Sequence, residues 1–489
     1  MPAIITNKFR INNAEQFLES FTESSPNIYY LGIGKPQAHA TQTRGDLRTE
    51  NQGTDTAPLT PEDSIANEFF TFDDALAAKK ITSSDIQQVV PRRDWTTGTV
   101  YDYYRHDYGA RVTGTTTTQS ANSGATALLD STFYVVSSAY NVYKVLDNNG
   151  DAASTVEPTG TSTSILTTGD GYKWKYMYTL SAAQQSNFLS TDFMGVATNS
   201  TVSSAAVDGA INIVKIKSAG SGGTNGSHTG VAIRGDGSSG EVTVTISSGA
   251  ISAITVTNVG SGYTFGYIRL ADINSAGGGS LSGAELDCII EPKGGHGKNA
   301  LEELGAFFVM LNTTFTGSEA SNSGDFTVAN DFRKIFLLRD PQSGGSAASA
   351  NTLRATKAIR FASSPTPGTF TADEEINQAS TGAVGKVVEW DSSNRILYYI
   401  QTRFNDEGVD TNGNLTAFSG TNVVTGQSSS ATGTPDADSD STVNNVSFTN
   451  GYSTAELDAD SGDIIYLENR TPITRASDQT ENVKLIVEF

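Results

Sequence analysis

The sequence predicts a mainly β protein with a few short helices and two inserted small β modules, on three observations. Its 489 residues carry 48 Gly, 18 Tyr and 22 Phe but only 17% charged residues, which favours short strands and polar turns over long helices. Aromatic and β-branched runs separated by Gly, Asn, Asp and Thr recur from Trp95 to about residue 200. A strand-and-glycine phrase occurs twice, as Val214-Lys-Ile-Lys-Ser-Ala-Gly-Ser-Gly222 and as Ile254-Thr-Val-Thr-Asn-Val-Gly-Ser-Gly262, 40 residues apart. The chain is long for one core, so several domains, or one domain carrying insertions, are expected.

Taken in order, Asn12 and Asn13 offer a cap to a short helix with Phe17, Leu18 and Phe21 on one face, and Ile28 to Ile33 reads as a buried strand. Thr60-Pro-Glu-Asp63 starts a second helix, with Pro at its tolerated first position and two carboxylates at the N-terminus. It runs through Phe69, Phe72 and Leu76 to Lys79-Lys80, and a further helical turn from Ser84 ends before Pro91. Phe133 to Val136, Asn141 to Leu146 and Tyr172 to Leu180 are strands, and the Ser/Thr/Ala-rich stretch from Ala197 to Ala206 marks a domain junction. In the repeat, each copy alternates apolar and polar residues before a glycine turn, as a half-exposed strand entering a tight reversal requires.

From Ala300 the composition is denser, with Leu301, Leu304, Phe307, Phe308 and Met310 reading as helix passing into strand and Asp331 to Arg339 as a further strand. A polar excursion follows, with a β unit from Gly368 to Ile400 and a mobile Ser/Thr/Ala/Asp-rich linker from Gln427 to Asp440. The chain re-enters the core at Gly462. The segments are therefore an N-terminal core part (1–206), an inserted β-repeat module (207–290), a core continuation (291–342), a second inserted β module with an acidic linker (343–455) and C-terminal core strands (456–489).

Formal net charge is −21, from 53 acidic and 32 basic residues, and no dense Lys/Arg run forms a phosphate-binding stripe. The chain is thus expected to contact no nucleic acid directly, and the acidic surface keeps it soluble until it meets an assembly partner. The lone cysteine, Cys288, lies in the apolar run Leu286 to Ile290 and packs as a small hydrophobe, with no intrachain disulfide. The start has no signal-peptide core, and no stretch approaches the roughly 20 apolar residues of a membrane span. Cytoplasmic synthesis and no membrane insertion follow as expectations.

Motifs for chemistry fail on their spacing. Pro292-Lys-Gly-Gly-His-Gly-Lys-Asn299 has the look of a phosphate loop, but Pro292 stands where Gly is needed and Asn299 where Ser or Thr would hold magnesium, so a flexible loop into the following helix is expected. His296 has no His or Cys at ligand spacing. Asp436-Ala-Asp-Ser-Asp440 alternates carboxylates as a calcium loop does, but Ser441 and Ser447 occupy the places of its Gly and Glu. His39, His106, His228 and His296 lie outside any nucleophile motif. The reading is no catalytic residue, no cofactor and no metal.

Three motifs point to contact instead. Val89-Val-Pro-Arg-Arg-Asp-Trp95 combines two guanidiniums, an acceptor and an indole, the composition of an interface anchor and equally of an intrachain loop tie. Thr168-Gly-Asp-Gly-Tyr-Lys-Trp-Lys-Tyr-Met-Tyr178 is a tight turn leading into a strand with Tyr172, Trp174, Tyr176 and Tyr178 on one side, read as a core face. Near the C-terminus, Ile464-Ile-Tyr-Leu-Glu-Asn-Arg470-Thr-Pro-Ile and Asp478-Gln-Thr-Glu481 join two β-rich runs.

These blocks, with Thr6-Asn-Lys-Phe-Arg10, resemble in residues and order the baseplate wedge protein (gene product eight type) of T-even-like contractile-tailed phages, over about half the chain. The resemblance implies a β-sandwich-rich subunit that forms a homodimer and joins other baseplate wedge proteins in the virion tail. It also implies assembly in the host cytoplasm and a part in the rearrangement that triggers sheath contraction. Arg92, Arg93, Asp94, Trp95, Glu468, Asn469, Arg470, Gln479 and Glu481 are the interface candidates. The alternative is a tail-associated glycan-binding adhesin, its insertions touching the host surface through Tyr263, Tyr267 or Trp390.

Overall fold

The computed structural model describes residues 4–39, 53–110, 118–316, 331–402, 408–437, 440–473 and 480–489. The protein is mainly β, its sheets antiparallel and its helices short. It divides into two compact units. One comprises Met1–Gln16, Gln87–Met310 and Ile486–Phe489; the other comprises Phe17–Ile86 and Leu311–Leu485.

The first unit is organised by a four-stranded sheet, ordered Tyr134–Val136, Asn141–Asp147, Lys173–Thr179 and Leu166–Thr167. Both of its faces are buried, so apolar and aromatic side chains project from either side of its strands. Tyr134, Val136, Val142 and Leu146 pack into one cluster, and Val135, Tyr143, Val145 and Trp174 into another. The expected single aromatic face is corrected here. Tyr143 pairs with Tyr176 and Val142 with Tyr178, a register shift that leaves Met177 as an extra residue. That bulge turns Tyr178 into the first cluster, while Tyr172, Trp174 and Tyr176 share the second.

Within the same unit, residues 211–290 have a core of their own. The Ile213–Gly223 strand pairs with Gly279–Ile289, so the segment starts and ends on adjacent strands. The Gly226–Ala232, Glu241–Ser247 and Ala250–Asn258 strands form a meander in which Val242, Val244 and Ile246 alternate inward. The repeat is visible in the backbone: Gly220 and Gly260 have φ of 68° and 64°, and Gly222 and Gly262 have φ of 77° and 75°, values open to glycine at no steric cost. Only the second copy ends its strand there. The first continues to Gly223 through register shifts, because its partner strand extends alongside it. Cys288 is buried in this core, and burial pushes its thiol up to about 12.

In the second unit a five-stranded sheet is ordered Thr352–Arg354, Ala75–Ile81, Tyr29–Gly34, Phe332–Arg339 and Asp463–Ile473. Gly32 lies opposite Phe336, whose ring fills the space a Cβ would need. A seven-stranded sheet spans Lys357–Arg360 to Tyr452–Ser453, with Phe361, Phe370, Ile376, Val387 and Leu397 in its core.

Three helix boundaries differ from expectation. The first helix is Asn7–Glu19, starting at Thr6, whose carbonyl accepts from Arg10 N at 3.2 Å, so Asn12 and Asn13 lie inside it. The second is Ile65–Asp73, capped by Ser64, and stops where Ala75–Ile81 becomes a central strand. Residues Ile86–Pro91 are also a strand. In both places sheet pairing overrides the helical preference of Ala, Lys and Gln.

Candidate functional site

The Arg92 to Trp95 motif leaves its strand at Pro91, which pairs with Phe193. Arg92 Nε donates to Asp94 Oδ1 at 2.9 Å and its NH1 to the Ser190 carbonyl at 2.9 Å. The Arg93 guanidinium lies 4.9 Å above the Tyr134 ring and donates to the Leu129 carbonyl at 3.2 Å. Trp95 N donates to the Val136 carbonyl at 2.9 Å, and its indole Nε1 donates to Ser154 Oγ at 3.0 Å. Arg93 and Trp95 are thus engaged within the chain, while the Asp94 side chain stays 56% exposed.

That indole bond leads directly to the Gly-Asp-Gly turn. Ser154 Oγ donates to Asp170 Oδ2 at 3.1 Å, and the same oxygen accepts from Thr155 N at 2.8 Å and Val156 N at 3.0 Å. Asp170 Oδ1 accepts from Thr168 Oγ1 at 2.5 Å and Tyr172 N at 3.3 Å. Thr168 Oγ1 accepts in turn from Trp174 Nε1 at 3.0 Å. Burial alone would raise the Asp170 carboxyl, but the donors of Thr168, Thr155, Val156 and Tyr172 outweigh it and hold it down at about 2. One carboxylate therefore fastens two tryptophans 79 positions apart in sequence, Trp95 and Trp174.

The C-terminal candidates lie on the Asp463–Ile473 strand, where Glu468 stands opposite Ile335 and Asn469 opposite Lys334. Glu468 Oε2 accepts from Tyr466 OH at 3.0 Å, and Asn469 Nδ2 donates to the Leu59 carbonyl at 3.2 Å. The Arg470 carbonyl is 2.9 Å from His39 Nε2. Glu481 is buried on the Thr480–Glu488 strand, and Gln479 lies outside the described residues. The two candidate groups occupy different units, and each forms contacts within its own.

A buried ionic cluster escaped the sequence reading. Strand alternation puts Lys144 on the face toward the Ala300–Leu304 helix, where its Nζ meets Glu303 Oε2 at 2.5 Å with both side chains at or below 3% exposure. Glu303 Oε1 also accepts from Gly297 N at 2.8 Å and Asn299 N at 3.2 Å. His296, expected on a flexible loop, is only 5% exposed, with its ring 3.9 Å from Glu303 and 4.0 Å from Glu291. Its backbone N–H donates to Glu291 Oε2 at 2.8 Å, and the Asn212 amide donates to the same carboxylate. Tyr104 packs edge-on against the imidazole, and Lys175 donates to the Thr163 carbonyl beside it. A cavity of about 320 Å³ opens between Lys175, Glu291, His296 and the Ala205–Val207 turn. The only sequence signal was a charged residue in each of two apolar segments, which fixes neither partner.

The aromatic residues considered for sugar contact separate. Tyr263 is buried, its hydroxyl donating to the Ile233 carbonyl at 2.9 Å, which removes it from any surface. Trp390 packs among Phe361 and Phe370 and is partly buried. Tyr267 remains 48% exposed. Among the described residues no group of three or more His, Cys, Asp and Glu is placed to hold a metal ion, and no helix is long and apolar enough to cross a membrane. Asp438 of the acidic alternation lies outside the described residues.

Compared with known proteins, residues 3–148 and 402–489 match the family model described as Bacteriophage T4, Gp8. The matched segments contain Thr6 to Arg10, Arg92 to Trp95 and both C-terminal strands; the Gly-Asp-Gly turn and residues 149–401 lie outside them. No curated protein matches the chain.

Trp95→Phe keeps an aromatic ring but removes the indole N–H donor and part of the area packed on the core, so it should lower unfolding stability by about 1 kcal/mol or more in urea titration, with assembly into particles retained if the residue acts only as an intrachain tie. The buried cluster predicts acid sensitivity. His296 is held below its ordinary 6.5, mainly by burial and by Lys144, so its stabilising contribution is present above pH 6.5 and is lost as pH falls below it. For Glu303, burial is outweighed by Lys144 and His296, which lower it from 4.5 to about 2, so its contribution is lost as pH falls below 4.5 toward 2. Melting temperature measured at intervals down from pH 7 should therefore fall in two steps, and His296→Gln should shrink the first, leaving the part contributed by His106, which burial also holds below its ordinary value.

Proposed function

This chain belongs to the phage Gp8 family of structural baseplate wedge proteins, and we propose that it holds neighbouring wedge subunits together and takes part in the rearrangement that triggers sheath contraction. The virion tail is its location; assembly there follows synthesis in the host cytoplasm. Its work is mechanical and not catalytic. In this reading the core is interrupted by the 207–290 and 343–455 modules, and two copies of the chain associate within each wedge.

The observation that carries the reading is where the matched segments lie in the fold. They include Asp463–Ile473, an 11-residue strand at the edge of the five-stranded sheet, which pairs on one side only, with Phe332–Arg339, among the described residues. A long strand edge is a template for pairing with another chain, and Ile465 on it is 42% exposed. An interface of this kind, hydrogen bonds backed by few apolar contacts, can assemble and still re-form in a second arrangement.

Antibody labelling of this protein on purified particles, imaged by electron microscopy before and after sheath contraction, should place label on a sixfold baseplate and show it displaced on contraction. Label on fibres would refute the assignment, and label that stays fixed would refute the part in switching. Ile465→Lys should leave the melting temperature within about 0.5 kcal/mol equivalent of the parent while shifting sedimentation toward the monomer. An unchanged sedimentation profile would remove this edge as the pairing surface.

A further inference from the structure

The 211–290 core takes up most of that module's apolar side chains, yet Phe265 and Tyr267 stand 55% and 48% exposed. The backbone explains their direction. A Cβ on Gly266 would meet Ile211, Ile233 and Ile290, so position 266 faces inward, and Ile268 is buried. Alternation along the extended segment then turns Phe265, Tyr267 and Arg269 outward together. Arg234 stands directly across from Tyr267 on the paired strand.

The two guanidiniums of this face are fixed by one carboxylate. Arg234 Nε and NH2 lie 3.0 and 3.1 Å from Asp272, and Arg269 Nε and NH2 lie 3.0 and 2.8 Å from the same group. Each guanidinium thus commits one edge to Asp272 and keeps its NH1 group for solvent or a ligand. The side chains of Arg234 and Arg269 are 45% and 51% exposed, whereas Asp272 is 15% exposed. Asp236 at the margin is held by Thr264 Oγ1 at 2.5 Å and Thr264 N at 2.9 Å.

We propose that Phe265, Tyr267, Arg234 and Arg269, organised around Asp272, form a binding site for a neutral saccharide. The rings offer flat apolar surface to the C–H face of a pyranose, and the pre-oriented NH1 groups donate to its hydroxyls without a further ordering cost. Two Arg and two Asp cancel formally, which suits a hydroxyl-rich uncharged ligand better than a phosphate or an anionic membrane. The patch is four side chains with a polar margin of Asp236 and Thr264, short of the roughly 800 Å² per partner and apolar centre of a stable protein interface. The site lies outside the segments matched by the family and does not depend on the baseplate role, whose test is the position of antibody label.

The test is retention of the full-length protein on an array of neutral bacterial surface oligosaccharides, followed by calorimetric titration with the best-retained one. Tyr267→Ala and Arg269→Ala should each weaken binding about tenfold or more, and Lys217→Ala, on an exposed position of the Ile213–Gly223 strand, should leave it unchanged. All three positions are exposed, and matching circular dichroism spectra would confirm that the variants fold. Absence of any retained oligosaccharide, or binding that survives both Tyr267→Ala and Phe265→Ala, would overturn the site. So would a photo-crosslinker at position 265 that captures a neighbouring protein subunit on intact particles.

Discussion

A charge taken out of water must be paired, and in the first unit that constraint falls on Lys144. Its ammonium lies on a strand whose neighbours are apolar, and it is tolerated because Glu303 reaches it from the Ala300–Leu304 helix and is itself held by the amides of Gly297 and Asn299. Removing one partner of such a pair leaves an uncompensated buried charge, at a cost of about 3–5 kcal/mol. Once the pair is made, the sheet, the helix and the turn before that helix have one mutual arrangement. His296 and Glu291 are drawn into the same cluster.

Asp170 plays the corresponding part nearer the surface. Five donors converge on one carboxylate, and the indoles of Trp95 and Trp174 are tied to it through Ser154 and Thr168. The arginines and tryptophan that resembled an interface anchor thereby acquire a second role: they brace the loop that presents Asp94. A residue engaged in this way can still border a partner, but its first effect on replacement would be on the fold.

The large insertion is accommodated by antiparallel closure. Ile213 pairs with Ile289, so 77 residues, from 213 to 289, leave and return on adjacent strands and can carry their own core without stretching the chain that flanks them. Separation of cores also frees the outer face of the module for other uses, because Val242, Val244, Ile246 and Tyr263 already supply its stability from within.

The sequence by itself determined the β character, the strands at Ile28 to Ile33, Asn141 to Leu146 and Asp331 to Arg339, the burial of Cys288, and the resemblance to a wedge protein. Those features are written in local composition, in period-2 patterning and in short phrases of residues. It misread Ala75–Ile81 as helix because Ala and Lys favour helix in isolation, and only pairing with Tyr29–Gly34 makes the segment a strand. It placed Tyr178 with the other aromatics because a bulge depends on the partner strand's register and leaves no mark on the strand that carries it. Tertiary structure alone decided that Lys144 meets Glu303, that one carboxylate joins Trp95 to Trp174, and that Tyr263 is core while Tyr267 is surface. Each of these is set by which distant segments come into contact, and the local pattern of residues does not encode that.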